Sequence, residues 1–61
     1  MKPSDIKQLQ YGDKVFWEDP DELRSQIITV KKAVVDAYNK IKIESTNGDV
    51  FVCEASQIRT V

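Results

Sequence analysis

The stretch Tyr11-Gly12-Asp13-Lys14-Val15-Phe16-Trp17-Glu18-Asp19-Pro20-Asp21 constrains the fold more than any other part of this chain. It crowds three aromatic rings into one short strand-like run, led in by Gly-Asp and closed by Asp-Pro-Asp. Gly12 frees the opening turn, and Pro20, which has no N–H, cannot continue a hydrogen-bonded ladder. Small five-stranded barrels often begin in this way. The chain has 61 residues, enough for one domain, 1–61, that buries roughly 60% of its unfolded surface. Its core is thin, with no room for a deep substrate pocket.

Turn signals divide the remainder into strand-length pieces. Lys40-Ile41-Lys42-Ile43-Glu44 alternates polar and apolar residues, Asn47-Gly48 supplies the positive φ angles of a tight turn, and Val50-Phe51-Val52-Cys53 resumes in β-formers. That is a hairpin. The middle is divided against itself. Leu23, Ile27, Val30, Val34 and Tyr38 fall at helical spacing, while Ile27, Ile28, Thr29, Val30, Val34 and Val35 are β-branched. Alternation through Ile28, Val30 and then Val35, Ala37 suits one long bent strand or two short ones, and Ser25 stands inside the pattern rather than before it as a helix cap would. The expectation is therefore strands, with a helix over about 22–38, and an α+β fold, as the alternative. Glu54-Ala55-Ser56-Gln57-Ile58 reads as a short helical turn that plugs Ile58 into the core before a last edge strand, Arg59-Thr60-Val61.

Composition removes several function classes. Nine Lys plus Arg against ten Asp plus Glu give a formal net charge of −1, so the chain lacks the overall positive field that non-specific nucleic-acid binding draws on. Cys53 is the one cysteine and there is no histidine. An internal disulfide is excluded, a tetrahedral zinc site cannot be assembled from one chain, and neither Cys53 nor any serine has a histidine base. Two glycines make no phosphate-binding loop. We expect no enzyme activity, no cofactor and no metal. The N-terminal residues lack the apolar region of a signal peptide, and no segment approaches the ~20 apolar residues of a membrane span. A reducing, cytoplasmic setting is the expectation.

With these elements placed, the chain resembles the SH3-like small barrels, in particular short bacterial SH3-like proteins that read Gly-Asp-x-Val-x-Trp or close to it, followed by an Asp-Pro turn. The likeness runs through Gly12-Asp13-Lys14-Val15-Phe16-Trp17, Asp19-Pro20-Asp21, the Ile28/Val30 strand, the Asn47-Gly48 hairpin and Ala55-Ser56-Gln57-Ile58. It implies an all-β fold: five antiparallel strands in a curved, partly open barrel with a helical turn before the last. It transfers no catalytic residue, since SH3-like folds are mostly interaction modules of differing function. The paired Trp-Trp and Tyr-rich opening motif of eukaryotic proline-binding SH3 domains are missing.

Three functions follow as expectations. The first is a non-catalytic module that binds a protein or peptide, with Tyr11, Trp17 and Tyr38 as contact rings and Glu18, Asp19, Asp21 and Glu22 as charge that draws a basic partner. Alternation sends Phe16 and Trp17 to opposite faces, so one aromatic is expected at the surface. Set against this, the ring covers a thin core and the acids merely solvate a loop and guard an edge. The second is nucleic-acid binding through Lys31, Lys32, Lys40 and Lys42 with Tyr38 between them; the plainer account makes Lys40 and Lys42 the solvent face of a hairpin strand. The third is self-association through an open barrel edge.

Overall fold

A computed structural model describes residues 1–21 and 23–61; Glu22 lies outside the described residues. The chain folds as α1 (Pro3–Ile6), β1 (Lys14–Trp17), β2 (Gln26–Val35), β3 (Lys40–Ser45), β4 (Val50–Glu54), a 3-10 turn over Ala55–Gln57, and β5 (Ile58–Thr60). All neighbouring strands are antiparallel, in the order β4-β3-β2-β1-β5. The fold is all-β. The strand order is compatible with a small SH3-like barrel, and the sheet stays open between β4 and β5.

The conflict between helical spacing and β-branched composition in the middle of the chain resolves as a strand, which overturns the helix alternative. β2 runs ten residues. Its first half, Gln26 to Thr29, pairs with β1 and its second half, Val30 to Val35, with β3. Between them the register shifts at Val30/Lys32. Lys31 and Lys32 are consecutive and both exposed, so the inward set changes from Ile28 and Val30 to Ala33 and Val35. A bulge residue of this kind bends the strand and raises its twist. Here it lets one strand pair with both β1 and β3; of the residues at helical spacing only Val30 is buried, while Leu23, Ile27, Val34 and Tyr38 are exposed. Ala37 is not part of the strand; it lies exposed in the following turn.

That turn carries no glycine to announce it in the sequence. Two backbone bonds close it, Asp36 N–H to the Lys40 carbonyl (3.0 Å) and Asn39 N–H to that of Asp36 (3.1 Å). The Asp36 side chain braces it: its Oδ1 accepts the N–H of Tyr38 (2.8 Å) and of Lys40 (2.9 Å), and Asn39 takes φ +60°, a conformation its short polar side chain tolerates. Asp36→Ala should cost about 1–2 kcal/mol, two local hydrogen bonds of ordinary strength, read as a lower urea midpoint at unchanged slope. The β3–β4 turn follows the same plan. Ser45 N–H donates to the Asp49 carbonyl (2.8 Å) and Gly48 N–H to that of Ser45 (3.1 Å). Only Gly48 has positive φ there; Asn47 instead accepts the Asp49 N–H on Oδ1 (3.0 Å) and contacts the Ser45 hydroxyl. The expected pair of positive φ angles is thus a single one, in a four-residue loop rather than a two-residue turn.

The core is formed by Ile6, Val15, Trp17, Ile28, Val30, Ile41, Ile43, Cys53 and Ile58. Ile58 is fully buried, as its place after the 3-10 turn implied. Ile6 was not anticipated. It is equally buried and comes from α1, which packs on β2. Burial pushes the Cys53 thiol above its usual value of 9.0, with Lys40 opposing weakly. The thiol therefore stays protonated at neutral pH and acts as a small hydrophobe. Among the described residues, no helix is long and apolar enough to cross a membrane.

Candidate functional site: a groove along the β4 edge

β1 alternates as its sequence requires, Val15 and Trp17 inward, Lys14 and Phe16 outward. The more surface-prone aromatic is Phe16. It is half-buried, lies opposite Arg59 on β5 and carries the Arg59 guanidinium 5.5 Å from its ring centroid. Trp17 is 9% exposed and meets Phe51 of β4 with ring centroids 5.0 Å apart at 53°, a tilted geometry favourable to both quadrupoles. Its Nε1–H is buried and has no hydrogen-bond partner among the described residues. A buried indole N–H without an acceptor forgoes a hydrogen bond and costs about 1–3 kcal/mol of desolvation.

Beside this ring pair opens a groove of about 400 Å³. One wall is four consecutive residues, Asp49, Val50, Phe51 and Val52; the other is Trp17, Arg24 and Gln26. Because both the inward Phe51 and the outward Val50 and Val52 line it, the groove follows the edge of β4 rather than one face of the sheet. Val50 and Val52 are 52% and 64% exposed. An antiparallel strand half-solvated on one face should alternate; Val50-Phe51-Val52-Cys53 does not. That surplus of apolar residues on the last hairpin was the readable sign of this surface, and the sequence reading took it only as a β-forming run.

The candidate partner-binding residues scatter. Tyr11 (73% exposed) stands on the turn before β1 and Tyr38 (91%) on the β2–β3 turn; neither lines the groove. Tyr38 instead borders a second hollow with Asn39, Lys40 and Glu54. Two of the four acidic residues, Glu18 and Asp19, are engaged by partners within the fold. Asp19 is buried, accepts the Asp21 N–H (3.1 Å) and sits 3.6 Å from Arg24 Nε, while its own N–H donates to Ser25 Oγ (2.8 Å). Glu18 pairs with Arg59 at 2.7 Å. Asp21 is exposed, and Glu22 lies outside the described residues. The loop is therefore built around Asp19 as its organiser, with less free negative charge than its composition suggests.

Lys31, Lys32, Lys40 and Lys42 are all exposed. Lys32 stands opposite Glu44 and Lys40 opposite Glu54 in the cross-strand registers, and Lys42 lies between Val34 and Val52. These acids interrupt the strip, so it presents a mixed face rather than a basic one. Among the described residues no group of His, Cys, Asp or Glu is arranged to hold a metal ion. No family model, curated protein or solved structure matches the chain.

Proposed function

We propose that this chain is an SH3-like barrel that serves as a non-catalytic interaction module, binding a protein or peptide segment in the groove between β4 and Trp17. The observation that carries the reading is the coincidence of that groove with a buried Trp17 Nε1–H that has no partner among the described residues. Buried polar groups in folded proteins nearly always have partners, and an acceptor brought by a bound segment would supply this one after a small shift of the walls. An exposed apolar wall next to a tilted aromatic pair is also the composition of binding hot spots. Arg24 and Asp49 at the rim replace the acidic loop as the charges a partner meets.

A photo-crosslinking amino acid placed at Val52, compared with the same group at the exposed Lys7, tests the reading. The expected result is a discrete polypeptide adduct from cells at position 52 and none at position 7. Equal labelling at both positions, or an adduct with nucleic acid alone, overturns it.

A further inference from the structure

The two edges of the open sheet are treated differently. At β5, Glu18 N–H donates to the Gln57 carbonyl (2.8 Å), so by antiparallel alternation Phe16 and Arg59 form the next bonded pair, and Ile58 and Thr60 face the free side. Both backbone groups of Ile58 are occupied, its carbonyl accepting from the Met1 amino group and its N–H donating to the Ala55 carbonyl, which leaves Thr60 as the single open residue of this edge among the described residues. At β4 the Ser45–Asp49 bond makes Ile43/Phe51 and Ile41/Cys53 the bonded pairs. Val50 and Val52 therefore turn their N–H and C=O groups outward. Glu54 N–H, the next in line, is taken by Gln57 Oε1 (2.9 Å). What is left bare is a pairing unit of three residues, Val50 to Val52, about 10 Å long at the usual strand rise. The groove lies directly against it.

We infer that the groove receives its ligand by strand addition: an extended segment of about three residues pairs with Val50 and Val52 as a sixth strand. The inference rests on the peptide-binding reading above and specifies its mode. Trp17, Arg24 and Gln26 bound the groove on the far side, which suits one extended segment. A second copy of the domain would bring its own β3 behind its β4, where that wall stands. The segment is apolar at alternate positions, so that one side chain lies over the Trp17–Phe51 pair and its neighbours lie beside the outward valines. The rim fits a segment bearing both charges. Arg24 is 80% exposed with only a 3.6 Å contact to Asp19, and Asp49 has no ion pair among the described residues. The pairing residues need free N–H groups, so proline is excluded from them.

The test uses the full chain and the synthetic peptide acetyl-Lys-Val-Thr-Val-Thr-Glu-amide, beside a version N-methylated at both valines. Amide exchange and the Trp17 indole resonance are followed by NMR. With the first peptide, exchange at Val50 and Val52 should slow by about tenfold or more, since opening would then require the added strand to leave, and the indole N–H should shift. The N-methylated peptide should produce neither change. Groove shifts that survive N-methylation overturn strand addition while leaving peptide binding standing. Absence of any groove shift at millimolar peptide overturns the inference for ligands of this chemistry. Protection of Val50 and Val52 that rises with protein concentration alone assigns the edge to a second copy and overturns it as well.

Discussion

Deleting Lys31 should destabilise the domain by about 1–3 kcal/mol while leaving every inward residue of β2 inward, although replacing the same exposed residue by Ala should change stability by no more than about 0.5 kcal/mol. The reason is the bulge. Lys31 is the one extra residue between Val30, opposite Ser45, and Lys32, opposite Glu44. Ile28 and Val30 point inward before it, Ala33 and Val35 after it. Without Lys31 the period-two alternation runs unbroken from Ile28 to Val35, and both registers survive. What is lost is the bend and added twist that let one strand serve both β1 and β3. A straightened β2 strains the packing of the fully buried Ile28, Val30, Ile41 and Ile43, in a domain whose whole stability is about 3–9 kcal/mol at ordinary values per residue. Urea denaturation and one-dimensional NMR of the deletion and of Lys31→Ala decide it. A deletion as stable as Lys31→Ala would mean that the strand bends without the bulge.

The same strand shows what could be read in advance. Strand propensity across Ile27, Ile28, Thr29 and Val30 carried the right answer, while the helical spacing of Leu23, Ile27, Val30 and Val34 was a coincidence of apolar positions, since only Val30 of the four is buried. The β3–β4 hairpin and the burial of Ile58 were legible because each rests on local pattern and turn chemistry. The Asp36 turn was not, because its signal is one aspartate accepting two N–H groups without a glycine to announce it. The site was less legible than the fold. Trp17, expected as a contact ring, is only 9% exposed, since alternation says that Phe16 and Trp17 part company without saying which one the core takes. The opposing wall of Arg24 and Gln26 lies far in sequence from β4, and only the topology brings it there.

Ile6→Ala should destabilise the domain by about 2–5 kcal/mol, the cost of removing a fully buried Ile side chain from a site that collapses only in part. Nothing in the first ten residues advertises this. Lys2, Asp5, Lys7 and Gln8 give the segment the look of a solvated leader. Yet Pro3, with φ pre-set for a helix start, opens a single turn. In it the Ile6 N–H donates to the Lys2 carbonyl (3.1 Å) and the Lys7 N–H to that of Pro3 (3.0 Å). That turn delivers Ile6 to the core, with Leu9 and Met1 packed partly buried beside it. A four-residue helix has no stability of its own, because nucleation is unfavourable at that length, so α1 holds through tertiary contacts, and Ile6 is its one buried residue. The substitution should therefore do two things together: lower the urea midpoint, and raise amide exchange across the first nine residues toward the unfolded rate. Protection there unchanged after Ile6→Ala, or a loss below about 1 kcal/mol, would show that contacts other than Ile6 hold this segment to the sheet.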